Sequence, residues 1–212
     1  MGFLHGMLFA FLALFPILNP PAMSPVFRML TGRVSDEERH KLALLIGCYS
    51  FALLTALLFV GGWLLKLFGI SIPVISVAGG LLLFHTAWRM LNREPKISAG
   101  EQEELQTRML DRAFFPLTMP VTAGPGSMAI TLTLVPEGSI LEVATLVQFA
   151  AVTAGIALAA LSIFLFYRFS GVILGRMGKT GQATINQVSA FILLAIGVQI
   201  VWNGVRGLLA TL

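Results

Sequence analysis

Two short clusters of proline, glycine and small polar residues interrupt apolar stretches of this 212-residue chain. The first cluster runs from Phe15 to Pro25 and the second from Phe115 to Pro125, and both follow the pattern Phe-Pro-x3-Pro-x4-Pro at an offset of 100 residues. A proline removes one helical hydrogen bond and clashes with the preceding turn. Each cluster therefore predicts a broken helix whose free backbone groups can bind a ligand without charged side chains.

The helix breaks are predicted at residues 19–22 and 119–126. The N–H groups that begin each following half-helix suit a carboxylate, and the unwound carbonyls suit an ammonium group or a cation. Gln199 and Asn203 lie four residues apart on one helix face, where they could bind the same ligand or a neighbouring helix. The candidate substrate-binding residues are Asn19, Pro20, Pro21, Ala22, Thr118, Met119, Pro120, Thr122, Ala123, Gly124, Pro125, Gly126, Ser127, Gln199 and Asn203.

Outside the two clusters the chain is strongly apolar, with 57% hydrophobic and 11% charged residues. Soluble domains carry about a quarter charged residues, so this composition indicates a membrane protein. Six apolar segments are close to or longer than the roughly 20 residues that a helix needs to cross a bilayer. They cover residues 3–30, 41–68, 72–91, 114–135, 141–168 and 184–209. We expect an all-α membrane protein with six transmembrane helices, of which helices 1 and 4 are broken near mid-membrane.

The distribution of basic residues predicts the orientation of these helices. Twelve of the fourteen Lys and Arg residues lie in or beside the connections at residues 31–40, 92–113 and 169–183. Connections rich in Lys and Arg stay in the cytoplasm, which places both termini outside. Although the net charge is +4, nucleic-acid binding is not expected, because the basic residues lie between apolar runs.

The two clusters also define an internal repeat. Each one begins a unit of three predicted spans, and because three is odd the two units must insert in opposite orientations. The sequence thus predicts one integral membrane domain, residues 1–212, in which repeat one (1–91) and repeat two (114–212) flank a cytoplasmic loop (92–113). Inverted repeats of this kind are typical of transporters that work by alternating access.

Several kinds of site are not expected. No Asp or Glu lies deep in a predicted span, so neither a divalent-metal site nor a carboxylate proton relay is predicted. Cys48 is the single cysteine and is expected to be a small buried residue. No cofactor is expected, while Na⁺ held by carbonyl and hydroxyl oxygens, or a proton on His85, remains open as a coupling ion.

At the residues of the two clusters the chain resembles the MarC family, which is related to small neutral amino acid transporters of archaea. The resemblance is carried by Phe15-Pro16-x-x-Asn19-Pro20 and by Pro116-Leu117-x-Met119-Pro120-x-Thr122-Ala123-Gly124-Pro125-Gly126. It implies six spans, a bacterial inner-membrane location, and transport of small neutral amino acids such as glycine and alanine. In that membrane the termini, which the charge distribution places outside, would be periplasmic. The substrate would lie between the two broken helices.

Two other functions remain open at this point. A non-transporting scaffold or regulatory membrane subunit would need no ligand between spans one and four. An intramembrane hydrolase would need Ser127 and His85 to meet, although His85 is rather expected to hydrogen-bond a neighbouring helix. We expect a protein that is not an enzyme, whose partners are a small neutral amino acid and the lipid bilayer, with a homo-oligomer as a further option.

Overall fold

The computed structural model describes residues 2–32, 34–92, 113–136 and 142–210, and its regular elements are all helices. The prediction of an all-α protein is therefore confirmed for these residues. Most of the predicted loop at residues 92–113 lies outside the described ranges. The helices are α1 (Phe3–Leu18), α2 (Pro20–Leu30), α3 (Asp36–Leu67), α4 (Ile72–Asn92), α5 (Ala113–Thr122), α6 (Pro125–Thr133), α7 (Val143–Arg168) and α8 (Ser170–Leu209).

Four helices are long and apolar enough to cross a bilayer, namely α3, α4, α7 and the part of α8 from Thr180 to Leu209. Together α1 and α2 make a fifth candidate span, bent by 44°. Helices α5 and α6 have 10 and 9 residues, well short of the roughly 20 that one continuous span needs. The described residues thus contain four or five candidate spans, because the prolines divide the predicted fourth span into two short helices.

Two helix starts differ from the sequence prediction. Helix α3 begins at Asp36 because Ser35 and Glu38 form a capping box, in which the Glu38 N–H donates to the Ser35 hydroxyl at 3.2 Å. The polar connection predicted at residues 169–183 is largely helical, since α8 already begins at Ser170, while the candidate span within this helix begins at Thr180. Its helical geometry is interrupted at Gly178, whose φ of 59° suits a residue without a side chain.

The helices pack in a pattern that pairs the two halves of the chain. Helix α1 of the first half packs against α7 of the second. The corresponding helices of the second half, α5 and α6, pack against α3 of the first. In the same way α2 packs against α8 while α6 packs against α4. The two long pairs, α3 with α7 and α4 with α8, close the assembly.

Glycines allow α4 and α8 to cross with their backbones in close contact. A Cβ built on Gly80 would lie 2.8 Å from the Gly197 carbonyl oxygen, and one built on Gly204 would lie 2.7 Å from the Pro73 carbonyl oxygen. Ala190, seven residues before Gly197, is fully buried. Gly197 and Gly204 thus belong to a stripe of small residues at seven-residue spacing, the kind of surface that lets membrane helices pack closely.

Candidate functional site

The first helix break lies at a single residue, Asn19, between α1 and α2. Its backbone is left-handed, with φ 46° and ψ 53°, a conformation that asparagine adopts more readily than most residues. Pro20 and Pro21 follow it and have no N–H to donate. The carbonyls of Pro16 and Ile17 therefore lack the donors that a continuous helix would supply four residues later.

The Asn19 side chain is buried at this break. It is 5% exposed, and its Nδ2 amide has no hydrogen-bond partner among the described residues. Buried amide groups in folded proteins are nearly always paired, and leaving a donor unpaired costs about 1–3 kcal/mol. A donor held in this state is suited to an acceptor that arrives with a ligand.

The second break separates α5 from α6 at residues 123–124. It is less regular than the first, because Phe115 and Met119 already leave helical geometry inside α5. Both residues precede a proline, and the proline ring disfavours the helical region for the residue before it. Pro125 opens α6, so the Val121 carbonyl also lacks the donor of a continuous helix.

Each half-helix that follows a break offers one free N–H group. After the first break the Met23 N–H donates to the Asn19 carbonyl at 3.0 Å, which leaves the N–H of Ala22. After the second break the Ser127 N–H donates to the Gly124 carbonyl at 3.0 Å, which leaves the N–H of Gly126. The expected anion-binding ends therefore each provide a single backbone donor, because prolines occupy the first helical positions.

The three hydroxyl groups of the second break are buried and bonded to their own backbone. Thr118 donates to the Ala113 carbonyl and Thr122 to the Leu117 carbonyl, both at 2.7 Å. Ser127 donates to the Gly124 carbonyl at 2.8 Å. Because their hydrogens are used in this way, the hydroxyls present oxygen lone pairs, which can accept a hydrogen bond or coordinate a cation.

The two breaks lie next to each other in the fold. A Cβ built on Gly126 would lie 3.8 Å from Ile17 Cγ2 and would overlap the Leu83 side chain of α4. Gly126 of the second break therefore lies beside Ile17, two residues before Asn19 of the first break. Among the predicted site residues of the breaks, the buried ones are Asn19, Pro20, Ala22, Thr118, Thr122, Ala123 and Ser127. The half-buried ones are Pro21, Met119, Gly124 and Gly126, and the exposed ones are Pro120 and Pro125.

Gln199 and Asn203 do not join this buried group. Both are exposed on α8, and the Gln199 Nε2 donates to the Asn203 Oδ1 at 2.9 Å. Their predicted placement on one helix face is correct. That face is the outer surface of α8, so they are not in the part of the fold where the breaks meet.

One residue next to the breaks was missed by sequence reasoning, Tyr167 near the end of α7. Its ring stacks on Phe27 of α2, with centroids 4.5 Å apart and an angle of 11° between the planes. Its hydroxyl lies 2.8 Å from the Thr122 hydroxyl of α5. A single aromatic residue in an apolar run carries no pattern that would have identified it.

Ser127 and His85, the two residues considered for a hydrolase, do not form a catalytic pair in the structure. The Ser127 hydroxyl donates to a carbonyl, and His85 is exposed on α4 instead of packing against a neighbouring helix. No hydrogen bond joins the two side chains in the described part of the chain. The geometry does not provide the base contact that would activate a serine nucleophile.

Comparisons with known proteins give a consistent result over the whole length. Residues 4–209 match the family model described as MarC family integral membrane protein. A UPF0056 membrane protein of Aquifex aeolicus (strain VF5) is 37% identical over 208 residues, which cover 96% of this chain and 95% of the relative. The UPF0056 inner membrane protein MarC of Escherichia coli O1:K1 / APEC is 31% identical over 207 residues, 93% of both chains. No solved structure matches the chain.

Proposed function

The chain belongs to the MarC family of integral membrane proteins, and from this premise we propose that it is a secondary transporter for small neutral amino acids such as glycine and alanine. The observation that carries the proposal is the meeting of two helix breaks that the sequence repeats at an offset of 100 residues. Unwound backbone is tolerated inside a membrane where it is buried in protein or lines a cavity. Substrate is held between the broken helices of the two halves.

The groups at the breaks match the two ends of an amino acid. The Asn19 amide and the Ala22 N–H are donors for the carboxylate at the start of α2. The Ile17 and Val121 carbonyls are acceptors for the ammonium group. Since the Leu83 side chain packs directly on Gly126, the space beside the second break suits a hydrogen atom or a methyl group as the substrate side chain.

The packing of the helices supports an inverted repeat of six spans. The main contacts between a broken helix and a long helix have counterparts in which the two halves exchange roles, as a two-fold axis between the halves requires. With three spans in each half, such an axis lies in the membrane plane. In this arrangement α1 with α2 forms the first span, and α5 with α6 forms the fourth. The basic connections then face the cytoplasm and both termini are periplasmic in the bacterial inner membrane.

The buried state of the breaks fits one step of alternating access. Asn19, Thr122 and Ser127 are almost completely enclosed by protein, so this conformation corresponds to an occluded transporter. Movement of one half against the other would open the site to either side. Coupling to Na⁺ would use the lone pairs of the buried hydroxyls.

The test is flux of radiolabelled glycine and alanine in proteoliposomes that contain the purified protein. Wild type should give counterflow that excess unlabelled alanine suppresses and that leucine or glutamate leaves unchanged. Asn19→Gly should lower this flux at least about tenfold, because the carboxylate loses a charge-assisted hydrogen bond. Thr86→Val is the matched control, since Thr86 is exposed on α4 and bonds only its own helix at 2.8 Å. Wild-type flux equal to that of empty vesicles would reject transport and favour a scaffold role.

A further inference from the structure

The exposed amides of Gln199 and Asn203 face the surroundings of a helix that crosses the membrane. Both lie within the candidate span from Thr180 to Leu209. Gln199 is seven residues before Arg206, about 10 Å of helix rise, so it lies inside the apolar layer. At that depth, a residue that is exposed on the surface of a single copy of the chain faces lipid.

Helix geometry shows that the amides point away from the rest of the protein. Gly197 faces α4, because a Cβ on it would meet the Gly80 carbonyl oxygen at 3.0 Å. Gln199 follows two residues later and is rotated by about 200° around the helix axis. The Gln199 side chain is therefore opposite the α4 contact, and no other helix covers it in the described part of the chain.

The hydrogen-bonding capacity of the two amides is mostly unused. Together they carry four N–H donors and two carbonyl oxygens, and the described residues provide only the bond between Gln199 and Asn203. Hydrocarbon offers no partner for the remaining groups, so lipid is an unfavourable environment for them. A protein surface with its own donors and acceptors at the same depth would satisfy them.

We propose that a second copy of this chain packs on this face of α8, with the Gln199 and Asn203 amides bonded across a two-fold axis along the membrane normal. An amide is both a donor and an acceptor, so the pair is complementary to itself. Two copies inserted in the same orientation bring the amides to the same depth. A different membrane protein would need its own amides at that depth, whereas a second copy of this chain always has them.

The apolar residues around the amides have the spacing of a helix-helix seam. Val188, Ala195 and Trp202 recur every seven residues, with Phe191 and Val198 between them, and all five are exposed. This is the a and d spacing of a left-handed helix pair, the common geometry in membranes. The stripe and the amides therefore form one continuous surface, which we call the α8 outer face.

Cross-linking tests whether two copies meet at the α8 outer face. Cys48, the single cysteine, is exposed on α3 and not buried as expected from the sequence, and Cys48→Ser provides a background without thiols. In native membranes, Ala195→Cys in this background should form disulfide dimers under mild oxidation. Leu165→Cys, exposed on α7, is the matched control and should remain monomeric. Dimer formation at Ala195 that is no faster than at Leu165 would overturn the proposal.

A second measurement tests the amides themselves and does not depend on transport. Energy transfer between donor- and acceptor-labelled protein in liposomes, followed over lipid dilution, gives the dissociation constant of the dimer. Gln199→Leu with Asn203→Leu should raise this constant at least about tenfold, while Thr86→Val should not change it. Wild type that stays monomeric, or a dimer equally strong in the double variant, would contradict the proposal, even if transport is observed.

Discussion

The Tyr167 hydroxyl lies 2.8 Å from the Thr122 hydroxyl and connects the end of α7 to the second helix break. Because the Thr122 hydrogen is already donated to the Leu117 carbonyl at 2.7 Å, Tyr167 is the donor of this bond. The ring of the same tyrosine stacks on Phe27 of α2. One side chain thus contacts the broken helices of both halves, so a movement of one half against the other must change its surroundings.

Tyr167→Phe tests this bond while keeping the ring. We expect the free energy of unfolding to fall by about 1 kcal/mol, because one neutral hydrogen bond is lost and Thr122 keeps its bond to Leu117. Thermal unfolding of the purified protein in detergent measures the change. Tyr49→Phe is the control, because the edge contact of Tyr49 with Phe114 is made by the ring, which the variant keeps. Equal stability of Tyr167→Phe and wild type would mean that the bond contributes nothing.

Arg39 is the buried centre of the connection between α2 and α3. It is 5% exposed, donates to the carbonyls of Thr31 at 2.9 Å and Val34 at 3.0 Å, and pairs with Asp36. Arg39→Met should destabilise the protein by about 1–3 kcal/mol, because those buried carbonyls lose their donor.

The matched control for Arg39 is a second basic residue of the same helix. Lys41 forms an exposed pair with Glu37 at 2.8 Å, and water and salt screen such pairs. Lys41→Met should therefore leave the unfolding temperature nearly unchanged. If both variants unfolded at the same temperature, the Arg39 contacts would not stabilise this connection.

The positions of the helix breaks could be predicted because proline acts on the backbone where it stands. Asn19 and residues 123–124 fall inside the two predicted intervals for this reason. The number of free N–H groups was predicted less well, since it depends on which carbonyl each remaining donor reaches. Gln199 and Asn203 could be placed on one face by their spacing, but only the packing of α8 on α4 determines where that face points.

Charge patterning predicted where basic residues lie along the chain but not their environment. Arg39 was counted as one of the cytoplasmic charges, whereas in the structure it is buried and contacts Thr31, Val34 and Asp36. The helical start of α8 was missed for a related reason. The polar residues at 169–183 have the composition of a loop, yet α8 runs through them with its helical geometry interrupted at Gly178.

The close crossing of α4 and α8 predicts a strong effect of a single methyl group. A Cβ on Gly197 would lie 2.8 Å from the Phe84 nitrogen and 3.0 Å from the Gly80 carbonyl oxygen, and backbone atoms cannot move aside cheaply. Gly197→Ala should therefore lower the unfolding free energy by about 1–3 kcal/mol. Gly175→Ala is the control, because a Cβ there meets nothing within 4 Å. Equal losses in the two variants would contradict the close packing.

The unpaired Asn19 amide predicts opposite effects on stability and on ligand binding. Asn19→Gly removes a buried donor without a partner and suits the left-handed backbone, so the substrate-free variant should be no less stable than wild type. Asn19→Ala removes the same amide but adds about 1–2 kcal/mol of backbone strain, so it should be less stable. Saturating glycine should stabilise wild type by about 2–3 kcal/mol and neither variant, as measured by thermal unfolding. Full stabilisation of Asn19→Gly by glycine would show that the amide does not hold the carboxylate.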